Sequence, residues 1–270
     1  MKKIVFCLET MTLGGVEKEL ITVLKKIHTQ YNITLLVLYL QDTEILEEIP
    51  DNVNIRILGI DKDYYCAGVV TLFKQRLKRG RFWEAFSLVV KRGLKIGMAP
   101  SNTNFDDIPA YESPCDIAIC YHIHSPTALR YVTEKIDAPK KIAWIHNDFY
   151  VSGYPIQRLK KFVVSYDEFV AVSRKVEREF RTLCPWYEGE ISTAYNYMDV
   201  DEILERSLAP IEEDAFLHES KPKFLTVGRF SEQKGIDYAI KATALLKAKN
   251  IPFHWFLIGY GKQEIGRAHV

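Results

Sequence analysis

Lys223-Phe224-Leu225-Thr226-Val227-Gly228-Arg229-Phe230-Ser231-Glu232-Gln233-Lys234-Gly235 is the stretch that decides how this chain folds. Its first five residues are mostly apolar and β-favouring, which predicts a strand. Gly228 breaks the run. Residues 235–249 then place Ile236, Ala239, Ile240 and Leu246 on one helical face. A second apolar run at 253–258 completes a strand–loop–helix–strand unit. In open parallel sheets, ligands gather at the carboxyl ends of strands, and the loop after residue 227 is such an end. Arg229 and Lys234 stand five positions apart there, just before a helix N-terminus. Two fixed cations beside a helix dipole suit a diphosphate. A lone Arg or Lys at that place would be ordinary surface charge, so the combination carries the information.

Upstream the same rhythm recurs. Strands are predicted at 4–8, 33–40, 53–58, 115–121, 141–145, 168–172 and 190–194. A helix at 16–27 has Val16, Leu20, Val23, Leu24 and Ile27 on one face. Nearly all-apolar strands alternating with helix-length segments imply a parallel sheet covered on both faces. The fold class is therefore α/β, with two Rossmann-like parallel-sheet units. Residues 1–196 form the first, 197–221 a linker with a polar, acidic stretch, and 222–263 the start of the second. Gly14-Gly15 sits between the first strand and the first helix, where glycines let a phosphate approach backbone N–H groups. A plain tight turn reads equally well from two glycines alone. Neither G-x-G-x-x-G nor a Walker loop is present, so a nicotinamide dehydrogenase or P-loop enzyme lacks its signature. Asp199-x-Asp201 invites a metal reading, but Asp199 opens a helical stretch and is better read as its N-cap.

Composition narrows the classes further. Of 270 residues, 47% are hydrophobic and 26% charged, as in soluble globular proteins, and a formal charge of +1 gives no whole-chain case for nucleic acid. Five scattered cysteines without metal spacing read as reduced thiols of a cytoplasmic protein. No apolar run is long enough to span a membrane. Residues 69–98 interleave eight Lys and Arg with Leu72, Phe73, Phe82, Trp83 and Phe86 against the single acid Glu84. That pattern suits the surface of an anionic membrane, and it also suits a solvated helix with its apolar side on a core. The last residues, 264–270, do not match the pattern before them: the codons ATC GGA AGA GCA CAC GTC for residues 265–270 reproduce a common sequencing-adapter sequence. They are expected to be non-native, with the parent gene continuing beyond Gln263.

Several blocks together resemble family 4 glycosyltransferases: Gly14-Gly15-Val16-Glu17, Trp144-Ile145-His146-Asn147-Asp148, Val170-Ala171-Val172-Ser173, Asn196-Tyr197-Met198-Asp199, Val227-Gly228-Arg229-Phe230 with Lys234-Gly235, and Leu257-Ile258-Gly259-Tyr260-Gly261. The resemblance spans residues 2–263. It implies a GT-B fold, with the acceptor mainly on the first domain and the nucleotide-sugar on the second, and a metal-independent reaction that retains anomeric configuration. The implied donor is a UDP-sugar or similar nucleotide-diphosphate sugar; no cofactor is implied. Arg229 and Lys234 would hold the leaving diphosphate, and Gly15 would give an N–H to its distal phosphate. His146 would contact the donor sugar or orient the acceptor hydroxyl, the bland alternative being a strand-end histidine satisfied by backbone. Gly14, Asn196, Gly228 and Gly259 complete the substrate-binding set. The acceptor would be lipid-linked or a glycan, at the inner face of a bacterial membrane in surface-polysaccharide assembly. The family's later E-x(7)-E motif is missing, so the 270-residue chain is expected to turn over poorly. A GT-B epimerase and a non-catalytic sugar-nucleotide-binding protein remain the rival readings.

Overall fold

The computed structural model describes residues 1–12, 14–40, 44–60, 77, 80, 82–83, 105, 108–154, 156, 160–210, 220–259 and 261. Most of the basic segment 69–98 and all of the tail 264–270 lie outside the described residues. The chain divides into two compact units, Met1–Asp199 and Val200–Val270.

Among the described residues the first unit is a seven-stranded sheet. Its elements run β1 (Lys3–Leu8), α1 (Gly15–Ile27), β2 (Asn32–Val37), β3 (Asn54–Ile57), β4 (Ile117–Cys120), α2 (Pro126–Lys135), β5 (Lys140–Ile145), α3 (Phe149–Ser152), α4 (Lys160–Val163), β6 (Glu168–Ala171), α5 (Arg174–Leu183) and β7 (Glu190–Thr193). The strand order is β3-β2-β1-β4-β5-β6-β7, and every pairing is parallel. The sheet therefore grows leftward from β1 to β3 and rightward from β4 to β7. The place where growth reverses, between β1 and β4, opens a crevice at the strand carboxyl ends.

Burial explains why these residues are strands. Five of six residues in β1 and in β2 are buried, because each strand packs helices or loops on both faces. On one face Phe6, Leu20, Ile21, Leu24, Leu35 and Tyr121 form a single cluster; on the other, Cys7, Cys120, Leu129, Phe169 and Phe180 form a second. Three helices of this unit start on side-chain caps. Ser125 accepts from the Ala128 N–H at 3.2 Å with Pro126 following, Ser173 accepts from Val176 N–H at 3.3 Å, and Asp148 from Val151 N–H at 2.9 Å. On α1 the buried stripe is rotated from the sequence expectation: Leu20, Ile21 and Leu24 face inward with Glu19, whereas Val16 and Ile27 only flank them.

The second unit contains α6 (Val200–Ser207), β8 (Lys223–Val227), α7 (Ile236–Ala248) and β9 (His254–Ile258). Helix α6 begins directly after Asp199, where a capping residue would stand. Strands β8 and β9 pair in parallel from Lys223–His254 to Val227–Ile258. Ile236 is fully buried on α7, but Ile240, expected on the same face, is exposed. Among the described residues this sheet has two strands, and Leu225 (53%), Val227 (67%) and Ile258 (56%) remain exposed on it. No helix of the described residues is long and apolar enough to cross a membrane.

Candidate active site

Each unit presents its chemistry at the carboxyl edge of its sheet, and the two edges are built differently. In the second unit, Gly228 leaves β8 with its N–H bonded to the Ile258 carbonyl at 2.9 Å. Phe230 turns inward and is buried, which pushes its neighbour Arg229 outward into solvent. A one-turn 3₁₀ helix, Glu232–Lys234, follows, and Gly235 at φ +63° closes it while opening α7. That left-handed conformation is what the Lys234-Gly235 pair supplies. The stem of Lys234 lies back across Gly228, its Cδ 3.7 Å from where a Cβ of Gly228 would stand. Both cations of the turn are thus exposed, and among the described residues neither has an acidic partner.

Gly259 and Gly261 belong to the same construction. A Cβ on Gly259 would collide with the Gly228 carbonyl oxygen, and one on Gly261 would stand 2.8 Å from the Phe230 nitrogen. The loop after β9 therefore seats its bare backbone on the loop after β8. The glycines of this Gly-x-Gly are there because two backbones touch.

In the first unit, His146 stands one residue beyond β5, half-buried, with its ring 4.8 Å from that of Tyr121. Its Nε2 lies 2.8 Å from the Tyr121 carbonyl oxygen, which can only accept, so Nε2 carries the proton. Burial, with smaller contributions from His122 and His124, drops its pKa to about 3, and the ring is neutral. Nδ1 is therefore an acceptor, and it is buried without a partner. The backbone-satisfied alternative holds for one nitrogen of His146 only.

Two further imidazoles were not singled out from the sequence. His122 and His124 follow β4; the ring centroid of His122 lies 6.0 Å from that of His146 and 5.6 Å from that of His124. Burial lowers both, that of His124 to about 4. His-x-His immediately after a predicted strand was the available signal. Glu9, one residue beyond β1, accepts hydrogen bonds from the Ser125 hydroxyl across the β1–β4 reversal and from the Tyr39 hydroxyl on the β2 side.

Gly14 and Gly15 open α1 as expected. Nothing lies within 4 Å of the place a Gly15 Cβ would take, so its backbone is approachable. Gly14 faces a carboxylate: Glu17, held by the Thr12 hydroxyl at 3.2 Å, lies against it. Asn196 is exposed on the segment after β7. Among the described residues no cluster of His, Cys, Asp and Glu is arranged to hold a metal ion.

Residues 210–266 match the model of a family described as glycosyl transferases group 1. The cation-bearing turn lies within the matched residues. Over the whole chain, the solved structure of Anabaena Alr3699/HepE in complex with UDP-glucose aligns at 12% identity with a TM-score of 0.50, covering 96% of this chain and 69% of that one. The lipopolysaccharide outer core galactosyltransferase WaaB in its apo form aligns at 16% identity and 0.49, covering 96% of this chain and 61% of that one. A comparison with curated protein sequences finds no match. The likeness to the Anabaena structure is one of fold, and the fold is of the GT-B glycosyltransferase type.

Proposed function

We propose that the parent protein transfers a hexosyl or N-acetylhexosaminyl group from a nucleoside-diphosphate sugar, with UDP as the preferred nucleotide, to a hydroxyl of a glycan or lipid-linked acceptor. The observation that carries this reading is the pair of exposed cations, Arg229 and Lys234, without acidic partners among the described residues, over the Gly228 turn of a segment that matches glycosyl transferases group 1. In such a transfer the bond from the sugar's C1 to the diphosphate oxygen breaks and the electron pair leaves with the diphosphate. The acceptor oxygen bonds to C1, and its proton passes to the leaving phosphate oxygen. Negative charge grows on the diphosphate, and two fixed cations aimed at that place stabilise it as it forms. They stand where a divalent cation would otherwise be needed, so the reaction is proposed to be metal-independent and, by the family resemblance, retaining. Gly15 would offer its N–H to the distal phosphate once the Glu17 carboxylate moves off the helix start. His146, with Nδ1 free to accept, would take a hydrogen bond from a sugar hydroxyl. A lipid-linked acceptor at the inner membrane face rests on the basic, aromatic pattern of residues 69–98.

The test is release of nucleoside diphosphate from a panel of UDP- and GDP-sugars by a full-length version of the protein. Release from a UDP-sugar, stimulated by a glycan acceptor and unaffected by chelators, is the expected result. Release that depends on added divalent metal, or none from any sugar nucleotide, would overturn the proposal.

A further inference from the structure

Glu179 puts a carboxylate where α5 turns toward the core. Its helix neighbours Val176 and Phe180 are buried, and only 7% of Glu179 itself is exposed. A buried carboxylate is costly unless it is hydrogen-bonded and offset by a cation. Glu179 has both. Its Oε2 accepts from the Phe149 N–H at 3.1 Å, and its Oε1 lies 3.6 Å from Lys175 Nζ. Lys175 also pairs with Asp148, the N-cap of α3. Helix α3 spans four residues, too few to nucleate alone, and its first N–H groups have no partner within the helix. Asp148 takes that of Val151, and Glu179 takes that of Phe149. The start of α3 is thus pinned by a residue 30 positions further along the chain. The pinned segment, 146–152, touches all three imidazoles. His146 opens it. Asn147 Nδ2 lies 3.2 Å from His122 Nε2, the Phe149 ring stacks on that of His124 at 5.5 Å, and Ser152 Oγ lies 3.2 Å from His124 Nε2.

We infer that Glu179 is a positioning residue: by holding the Phe149 N–H it fixes segment 146–152, and with it the placement and tautomer of His146 and the seat of His124. The inference rests on the transferase reading for the reaction that His146 would serve; the pinning itself does not. Lys175 plays a lesser part. Its side chain is 64% exposed, so its ion pairs add little to stability, and its role is to offset the buried carboxylate. What the Phe149 N–H requires is an acceptor oxygen at the right reach, so a glutamine at this position should serve, whereas an aspartate, one methylene shorter, should not.

Imidazole ¹⁵N spectra of the 270-residue chain at pH 7 test the pinning without turnover. The unaltered chain should show His146 as one tautomer, protonated at Nε2. In Glu179→Ala the His146 and His124 signals should move toward the average of two tautomers, while the amides of β1 and β4 stay protected from exchange. Glu179→Gln should restore the signals of the unaltered chain, a rescue that loss of stability alone does not predict. Should Glu179→Ala fail to fold, Glu179→Asp takes its place, since it keeps the charge and withdraws only the reach. Unaltered imidazole signals in the Ala or Asp variant overturn the inference, and so does a Gln variant as disturbed as either. Kinetics of a full-length version complete the test. Glu179→Ala, or Glu179→Asp in its place, should lower kcat for a UDP-sugar about fivefold and leave KM for the UDP-sugar within about twofold, because misplacement acts on the reacting geometry. An unchanged kcat overturns the positioning role. Absence of nucleoside-diphosphate release by the unaltered full-length protein defeats the transferase reading instead, and the imidazole spectra then decide the pinning by themselves.

Discussion

The two sheet edges treat charge in opposite ways. In the first unit, the imidazoles of His122, His124 and His146 are pressed against aromatic rings and kept neutral, and the Glu9 carboxylate is tied to two hydroxyls. In the second, Arg229 and Lys234 are left in solvent without acidic partners among the described residues. The contrast teaches where each half of a transfer reaction can be served. A leaving diphosphate needs unpaired cations, and pairing them would spend their field on the protein itself. A neutral hydroxyl needs acceptors whose own protonation is fixed, which burial achieves.

Removing the cations is the harshest way to break the comparison. Arg229→Ala and Lys234→Ala should each lower nucleoside-diphosphate release by on the order of 10²-fold in a turnover-competent version. His146→Gln, which leaves charge unchanged, should cost less, roughly tenfold, because it removes one hydrogen bond to an uncharged group. Steady-state rates with a UDP-sugar check both. Near-normal rates in both cation variants would mean that the exposed charges are ordinary surface charge.

The backbone that carries those cations can be attacked next. Gly259→Ala places a methyl group against the Gly228 carbonyl. Backbone cannot give way as a flexible side chain can, so a loss of about 2–4 kcal/mol in the second unit is expected. Hydrogen exchange at β8 and β9 amides should accelerate while β1 and β4 amides stay protected. Unchanged exchange at β8 would show that the two loops can part at little cost.

How much of this was legible in the sequence differs between the two edges in the same way. The second unit's turn could be read residue by residue, because its determinants are local: a strand, Gly228, two cations, Gly235 and a helix within thirteen positions. Most strand limits of the first unit also followed from apolar runs bounded by polar loops. The β1–β4 crevice did not, since Glu9 and Ser125 are 116 residues apart and meet only because the sheet reverses there. His122 and His124 were overlooked because a loop histidine is usually solvated, and only the rings of Phe149 and Tyr154 against His124, and of His146 against His122, reveal their burial. Glu19 was hidden for another reason. Helix α1 spreads Val16, Leu20, Ile21, Val23, Leu24 and Ile27 over nearly half its circumference, so periodicity alone does not say which flank turns inward.

The neutral histidines give a pH test of the first edge. Unfolded, each imidazole titrates near 6.5; folded, His146 and His124 stay neutral until about 3 and about 4. Between those values the unfolded state binds more protons, so stability falls as the pH drops from about 6.5 toward 4. Unfolding free energies from urea titrations at pH 7 and pH 4.5 should differ by up to about 5 kcal/mol from these two groups, and His146→Gln should flatten the dependence. A His146→Gln profile as steep as the parent's would show that this imidazole protonates freely in the folded state.

Glu19 should produce the smallest effect, and of opposite sign. Its side chain is 8% exposed, Oε2 has no partner, and burial lifts its pKa from 4.5 to about 7. Between those values the folded state binds more protons than the unfolded, so the neutral carboxyl's share of stability is complete below pH 4.5 and is lost as pH rises through about 7. Histidines and glutamate thus pull against each other between pH 4.5 and 6.5, and the parent's stability should vary less there than either set alone would dictate. Glu19→Gln keeps the shape and removes the titration. It should raise the urea midpoint at pH 8, by the equivalent of about 1 kcal/mol, and leave it unchanged at pH 4.5. A variant less stable than the parent at pH 8 would mean that the ionised Glu19 has a favourable partner in the folded protein, and the core side of α1 would then have to be read as a charged site rather than a strained one.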